Sequence, residues 1–423
     1  MTLEQQILEI GSNARRAARA LAALQTEKRN AILGAMAGEL LGRTPKLLEA
    51  NEKDLSGAAE HGLSSAAIDR LRLTEARIAG MAEGIRQVAG LEDPVGRSIS
   101  EWTRPNGLRI AKVRTPIGVV GIIYESRPNV TSDAAVLCIK TGNAVILRGG
   151  SESLNSNLAI AEALQAGGAT EGLPENAVQL ISTRDRQAVA LMAGMNQYID
   201  LIIPRGGRSL IETVVEHARM PVIKHYHGVC HVYVDDEADL DMAERIALNA
   251  KCQRPGVCNA METLLIHRGV SEAFFKLAAP EFQRKGVEIR ADETAYSQLS
   301  ASSYQPLRRA EEEDWSTEYL DTIMSVRVVD DLDQAIEHMD RYGSHHSDAI
   351  VTANPKVAER FLNEVDSATV YWNASTRFTD GEEFGFGAEI GISTDKLHAR
   401  GPMGLEELTS YKYVIRGDGQ IRE

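Results

Sequence analysis

Four uninterrupted apolar runs between residues 117 and 204 constrain this chain more than any other feature. They read IGVVGII (117–123), AVILR (144–148), VQLIS (178–182) and IDLIIP (199–204). A half-buried strand alternates apolar and polar side chains. A run that is apolar throughout must be covered on both faces, as a parallel strand is between two helix layers. Helical stretches separate the runs, as in SLNSNLAIAEALQAGG from residue 153. Strand and helix in alternation predict an α/β fold with a doubly wound, Rossmann-type parallel sheet. Ligands bind such a sheet beyond the carboxyl ends of its strands, where this chain has Arg148-Gly149-Gly150 and Pro204-Arg205-Gly206-Gly207.

The flanks have other periods. Ile7, Ile10, Ala14, Ala17, Leu21 and Leu24 recur at helical spacing, and Ile32, Met36, Leu40 and Leu41 continue the series. Residues 1–90 are therefore expected to be helical, punctuated by Gly42, Gly62 and Pro94. From 98 to 116 two extended runs flank Asn106-Gly107, a pair that tolerates the positive φ of a hairpin turn. The hairpin has little apolar face of its own and must pack on something else. The extended tail at 409–423 is suited to add a strand to it. A further αβ region contains the strand HVYVD (231–235), a helix at 238–251 and the cysteine motif CQRPGVCNAMETLLIH (252–267). A strand at 323–330, a helix at 331–343 and a strand at 348–353 follow.

Acidic residues number 60 against 46 basic ones in 423, a net charge of −14. Such a field repels phosphate backbones, so nucleic acid is a poor partner, and an anionic substrate must be held by local Arg, Lys or His. The apolar runs are far shorter than the ~20 residues of a membrane span. The N-terminal MTLEQQILEIGSNARRAARALAAL has an early acid and no apolar core behind a basic start, the wrong order for a secretory signal. Four cysteines, at 138, 230, 252 and 258, are no disulfide framework in a chain of this length. A reducing, cytoplasmic setting is expected, in which a cysteine can serve as a thiolate.

Cys258 follows Pro255-Gly256-Val257 and precedes a strand-like run at 263–266. Glycine allows close backbone approach, and Lys251 and Arg254 are near enough in sequence to favour thiolate over thiol. Taken alone, a buried inert cysteine is the commoner case, and it is the reading for Cys138 and Cys252. Local sequence does not separate Cys258 from them.

Longer motifs do. TPIGVVGIIYESRPNVTSDAA (115–135), GNAVILRGG (142–150), IPRGG (203–207), NAKCQRPGVCNAMETLL (249–265) and FGFGAEIGISTDKLHARGPMGLEELTSYKY (384–413) run in one order through nearly the whole chain. Together they resemble the γ-glutamyl phosphate reductase family of the aldehyde dehydrogenase superfamily. That resemblance implies an aldehyde dehydrogenase-like α/β fold with a Rossmann-type cofactor domain (1–97 and 114–228) and an α/β catalytic domain carrying the cysteine (229–372). It also implies a β-hairpin oligomerisation element (98–113 with 405–423) and a C-terminal active-site segment (373–404).

Site roles follow from the same resemblance. Cys258 stands where the family has its nucleophile, whereas position 252 resembles one often held by Thr. Asn129, in Arg127-Pro128-Asn129, stands where aldehyde dehydrogenases carry an amide that binds the developing oxyanion together with the N–H of the cysteine. One such donor typically contributes ~3–4 kcal/mol; by itself an Asn after Pro128 reads as a turn residue. Where many relatives have Lys-Pro-Xaa-Glu, with the glutamate on the adenosine ribose of NAD, this chain has Arg148-Gly149-Gly150-Ser151. Loss of the carboxylate removes repulsion of a 2′-phosphate, and Arg148 offers a forked donor, so the expected cofactor is NADP, used as NADPH. Pro204, Gly206 and Gly207 match a second contact with the dinucleotide. Glu318 falls where relatives place a glutamate on the nicotinamide ribose, and a solvated glutamate is the alternative there.

Hydrolytic aldehyde dehydrogenases activate water with a glutamate ahead of the cysteine. The corresponding KHYHGVCH (224–231) has no carboxylate, so a thioester would persist until phosphate attacks it. The same stretch sets His225, His227 and His231 on one face if extended, and His-Xaa-His on a strand can bind zinc. No further carboxylate ligand accompanies them and the resemblance implies no metal, so none is expected. Arg127, Arg254, Arg377, Lys224 and His227 are the candidates to hold the acyl phosphate and the substrate carboxylate. Arg254 leads because it stands four residues before Cys258.

The implied reaction is NADPH-dependent reduction of L-glutamyl 5-phosphate to L-glutamate 5-semialdehyde with release of phosphate, through a Cys258 thioester. This is the second step of proline biosynthesis. A homo-oligomer is expected, and glutamate 5-kinase, which makes the labile acyl phosphate, is a candidate partner. Two other classes compete: a hydrolytic dehydrogenase of another semialdehyde, which would need no phosphate, and a non-catalytic scaffold, which would not need Cys258.

Overall fold

The computed structural model describes residues 1–57 and 63–422, so the expected punctuation at Gly62 lies outside the described residues. The chain divides into two units, each built on its own parallel sheet. One unit comprises Met1–Lys224, Gly385–Gly391 and Met403–Glu423; the other comprises His225–Phe384 and Ile392–Pro402. Among the described residues no helix is long and apolar enough to cross a membrane.

In the first unit the four apolar runs become the strands Val119–Tyr124, Ala144–Arg148, Val178–Leu180 and Leu201–Arg205. The first two are buried along their whole length, as runs without polar alternation require. Across the sheet the order is Val178–Leu180, Ala144–Arg148, Val119–Tyr124, Leu201–Arg205, with every pairing parallel. The order reverses between Val119–Tyr124 and Leu201–Arg205, and the gap beyond their carboxyl ends is the switch point of the sheet. Residues 221–223 extend the sheet beyond the outer strand: Ile202 N–H donates to Pro221 O and Ile223 N–H to Ile202 O, each at 3.0 Å.

Helices cover this sheet. Leu3–Leu21 begins with a capping box, in which the Thr2 hydroxyl accepts from Gln5 N–H and the Gln5 side chain accepts from Thr2 N–H. Its buried stripe is Ile7, Ala14, Ala17, Ala18 and Leu21, at helical spacing. Thr26–Gly42 crosses Leu154–Thr170 so closely that a Cβ added to Gly167 would lie 2.6 Å from Ala35 O. Ser98–Thr103 and Arg109–Pro116 form the expected hairpin, with Gly107 at φ +87° in the turn, and the tail strand Thr409–Arg416 pairs with the second of them. The resulting antiparallel sheet exposes Ile99, Trp102, Tyr411, Tyr413 and Ile415.

The second unit holds a seven-stranded parallel sheet. Its order is Leu307–Arg309, Glu288–Ala291, Ile323–Val329, Met261–His267, Cys230–Val234, Ser347–Val351, Thr369–Trp372. Successive side chains of a strand point to opposite faces. Val232, Leu264 and Val326 accordingly pack with Phe274 and Phe282 on one side, while Tyr233 and Leu265 pack with Met339 and Phe361 on the other. The strands Leu307–Arg309, Glu288–Ala291 and Thr369–Trp372 were not expected from the sequence. They are short, and charged residues interrupt the first two.

Polar rings are buried on the second side. His231 donates or accepts through Nδ1 to Asp348 at 2.8 Å, and its ring lies 5.5 Å edge-on from His338. Arg327 donates to His338 Nδ1 at 2.9 Å, so that nitrogen is an acceptor and the ring is neutral. Burial, aided by His231 and by the Arg327 and Arg341 charges, pushes His338 down to about 2. Burial and then His225 push His346 down to about 3. In an unfolded chain both titrate near ~6.5. Below that value the unfolded state takes up protons that the folded state refuses, so stability is complete above pH ~6.5 and declines as the pH falls toward ~3. Urea midpoints should therefore fall steadily between about pH 7 and pH 5, and His338→Phe should flatten the slope. An unchanged slope in that variant would count against the assignment.

Candidate active site

The helix Leu240–Cys252 starts on Asp239, whose side chain accepts from Met242 N–H, and delivers Lys251 to its last turn. The strand Met261–His267 begins nine residues later, and the intervening loop carries Cys258. Lys251 Nζ and Glu262 Oε2 meet at 2.6 Å with both side chains fully buried. This ion pair joins the end of the helix to the start of the strand and so closes the loop at its base. Sequence proximity suggested Lys251 as a partner for the thiolate, but the structure gives its charge to Glu262. Burial pushes Glu262 up to about 7 against the pull of Lys251. The other Glu262 oxygen accepts from Leu320 N–H at 3.3 Å, holding Leu320 at φ +54°, a left-handed conformation costly for a branched residue.

The loop is pinned from other directions as well. Glu318 Oε1 accepts from Gly228 N–H at 2.9 Å, and Gly228 lies so close to the loop that an added Cβ would be 1.9 Å from Cys258 O. The Cys230 thiol donates to the same carbonyl at 3.2 Å. Asn259 Nδ2 donates to Thr379 O at 2.8 Å, and the Thr376 hydroxyl donates to Asn259 O at 2.7 Å. The backbone at Cys258 and Asn259 is thus held from two segments, 228–230 and 376–379, while Cys258 itself is only half-buried.

The other thiols are poorly placed for chemistry. Burial pushes up Cys138 and Cys230, both fully enclosed, and also Cys252, where Lys251 and Lys285 pull the other way. A thiol raised in this way is a weak nucleophile at neutral pH. Beside Cys258, Arg377 Nε donates to Gln253 Oε1 at 2.9 Å, which draws its guanidinium to the exposed Arg254. Burial and the Arg254 charge lower Arg377, and the Cys258 sulfur partly offsets them. Arg254, Arg377 and Cys258 therefore form one cluster in the second unit, the unit that also contains His227 and Glu318. The other two histidines of that stretch are engaged separately, His225 with Ile392 O at 2.8 Å and His231 with Asp348.

In the first unit the expected residues gather at the carboxyl end of the sheet. Glu125 N–H donates to Arg205 O at 3.1 Å, and Glu125 Oε2 accepts from Gly207 N–H at 2.8 Å. A Cβ on Gly206 would come within 2.6 Å of that carboxyl group. Asn129 opens the helix Asn129–Lys140 with its side chain exposed. Its Nδ2 donates to Asp133 Oδ2 at 2.9 Å, which orients the amide and leaves the second N–H to serve elsewhere. Burial pushes Asp133 up to about 6, against the hydrogen bonds from Asn129 and Ser132. Arg127 is exposed and Lys224 half-buried.

Arg148 is 8% exposed, and its Nη1 donates to Gly149 O at 2.8 Å. Gly149 and Gly150 follow, then Ser151 in a 3-10 turn, Ser151–Ser153. A cavity of about 250 Å³ opens there, lined by Lys53, Asp54, Ser56, Gly57, Ser151, Glu152 and Arg184. Sequence reasoning missed Gly228, Glu262, Lys53 and Arg184. Only Gly228 left a local signal, as the glycine in KHYHGVCH; the three charged residues read as ordinary surface.

Comparison with known proteins adds an independent finding. The aldehyde dehydrogenase family model matches residues 2–303 and 309–414. A γ-glutamyl phosphate reductase of Moorella thermoacetica is 56% identical over 423 residues, covering all of both chains. One from Geobacter metallireducens is 55% identical over 423 residues, again covering both completely. The crystal structure of γ-glutamyl phosphate reductase from Thermotoga maritima matches with a TM-score of 0.96 at 45% identity, covering 99% of this chain and 100% of that one.

Two substitutions test how the loop is held. Gly228→Ala should force the Cys258 backbone aside and lower turnover by about 10²-fold, the usual effect of a misplacement near 1 Å. Its circular dichroism spectrum should match that of the parent. Lys251→Met should cost ~3–5 kcal/mol in urea unfolding because Glu262 is left buried without its partner, and adding Glu262→Leu should restore most of the loss. Equal losses in the single and double variants would argue against the clasp.

Proposed function

Since the chain belongs to the aldehyde dehydrogenase family, within its γ-glutamyl phosphate reductases, we propose that it reduces L-glutamyl 5-phosphate to L-glutamate 5-semialdehyde. The observation that carries this reading is the half-exposed Cys258 on a clasped loop, in a chain collinear from end to end with reductases of that name. The Cys258 thiolate attacks the acyl carbon and phosphate leaves, giving a thioester. The amide of Asn129 and the Cys258 N–H stabilise the oxyanion that forms on the carbonyl oxygen. Arg254 and Arg377 supply forked donors for the phosphate and the substrate carboxylate, with Arg127, Lys224 and His227 as further contacts. No carboxylate lies in residues 224–231 to activate water, so the acyl group stays on sulfur.

The family's fold is one that binds a nicotinamide dinucleotide. We assign NADP as the cofactor, held by Arg148, Gly149, Gly150 and Ser151 at one strand end and by Pro204, Gly206 and Gly207 at the switch point. The cavity beside Ser151, with two cations and two hydroxyls on its wall, fits such a group. When bound there, NADPH would supply the hydride that reduces the acyl group to the aldehyde, with the Cys258 thiolate released. Glu318 keeps one oxygen on Gly228 and offers the other to the nicotinamide ribose. The first unit then serves as cofactor domain and the second as catalytic domain. The exposed aromatic face of the antiparallel sheet at 98–116 and 409–416 is assigned to homo-oligomer contact, which would cover its apolar surface. A cytoplasmic location and association with glutamate 5-kinase complete the reading.

Purified protein incubated with glutamate semialdehyde, NADP and phosphate should form NADPH. Omitting phosphate, and separately introducing Cys258→Ala, should each abolish the signal. Reduction of NADP without phosphate would mark a hydrolytic dehydrogenase instead, and full turnover by the alanine variant would remove the covalent mechanism.

A further inference from the structure

We propose that Lys53 and Arg184 read the 2′-phosphate of the dinucleotide, a role for which sequence alone nominated Arg148. The inference rests on the NADP assignment above and concerns the cavity beside Ser151. At about 250 Å³ the cavity is smaller than the roughly 300–1,000 Å³ of a pocket for a whole small molecule, and suits a phosphate with part of its ribose.

Its wall carries two cations and two carboxylates, and the two kinds are differently occupied. Asp54 is buried at the start of the helix Leu154–Thr170. Its Oδ1 accepts from Asn155 N–H and Nδ2 at 3.2 and 2.8 Å, and its Oδ2 from Ser156 N–H and Oγ at 2.7 and 2.6 Å. Glu152 Oε1 accepts from Ser126 N–H at 2.9 Å and from the Ser126 hydroxyl, and its Oε2 from the Ser151 hydroxyl at 3.4 Å. Both acids therefore have their charge turned into internal donors. Asp54 also occupies the helix terminus that would otherwise attract an anion, so a phosphate here must be held by side chains.

The cations are available for that. Arg184 is exposed and forms no ion pair among the described residues. Among the described residues Lys53 has only a solvent-exposed ion pair with Glu49, one turn back on its own helix, of a kind that is readily exchanged. Ser151, at the position where relatives carry a carboxylate, donates its hydroxyl to Glu152 Oε2 at 3.4 Å. Arg148 does not line the cavity; its Nη1 donates to Gly149 O and its Nε is buried away from any acceptor. A phosphate bridging Lys53 and Arg184 gains charge-assisted hydrogen bonds from both; a bare 2′-hydroxyl gains neither.

The test compares two probes that differ only in the 2′-phosphate, 2′,5′-ADP and 5′-AMP, by calorimetry on the full-length protein. Lys53→Gln and Arg184→Gln should each weaken 2′,5′-ADP roughly tenfold, and the double variant by more than about thirtyfold, with 5′-AMP affinity unchanged. Thermal melts should match the parent, since both side chains are on the surface. The Michaelis constant for NADPH should rise in parallel while that for NADH stays put. A parent protein that prefers 2′,5′-ADP, with the preference intact in the double variant, overturns the assignment to Lys53 and Arg184 but leaves the cofactor reading standing. Equal affinity of the parent for both probes overturns the NADP assignment and this inference with it.

Discussion

An ammonium and a carboxylate that meet at 2.6 Å with no exposure to water are costly to bury, and Lys251 and Glu262 repay that cost only in this geometry. Removing both from water makes their attraction strong and directional, and every neighbour inherits the constraint. The helix end and the strand start are fixed to each other, which sets the span of the loop between them. Glu262 passes the constraint to Leu320 through a second hydrogen bond. Two residues earlier, Glu318 passes it to Gly228, whose backbone abuts the Cys258 carbonyl. A continuous set of contacts within the second unit therefore runs from the buried pair to Cys258. Rigidity of this kind is what positioning a nucleophile requires.

The first unit solves a different electrostatic problem. A chain with a net charge of −14 must present a site to anions, and several of the carboxylates near its sheet's carboxyl end are occupied by hydrogen bonds within the unit. Glu125 accepts from Gly207, Glu152 from Ser126, Asp133 from Asn129, and Asp54 from Asn155 and Ser156. Each acid caps or orients a segment that the site uses. On the cavity wall Lys53 and Arg184 stand beside two carboxylates already hydrogen-bonded, so the local field can differ from the field of the whole chain.

How much of this was legible in the sequence depends on the range of the interaction concerned. Continuous apolar runs foretold the parallel strands of the first unit because burial on both faces leaves no room for polar alternation. Asn106-Gly107 foretold the hairpin because its turn needs positive φ, and the tail strand followed from its extended pattern. In the second unit Leu307–Arg309, at the sheet's edge, and Glu288–Ala291, beside it, were missed because three or four residues interrupted by charge are too short to show a period. Cys258 was nominated by the longer motif around it, since its Pro-Gly setting alone did not separate it from the other cysteines. Glu262, Asp54 and Arg184 were not, since a charged side chain looks the same in sequence whether it ends in solvent or opposite a partner far along the chain. Lys251 shows the limit clearly: proximity in sequence pointed it at the thiol, and a partner eleven positions away claimed it.

The missing side chain at Gly228 has a consequence for redesign. Turning an acyl-transfer enzyme into a hydrolase requires a base close enough to the acyl-sulfur bond to draw a proton from water. Gly228, which abuts the Cys258 backbone, cannot supply one, because even a single carbon there would collide with a carbonyl. Any such base must be grafted on a neighbouring position and reach across, so a change of acceptor from phosphate to water is first a question of backbone clearance and only then of acidity.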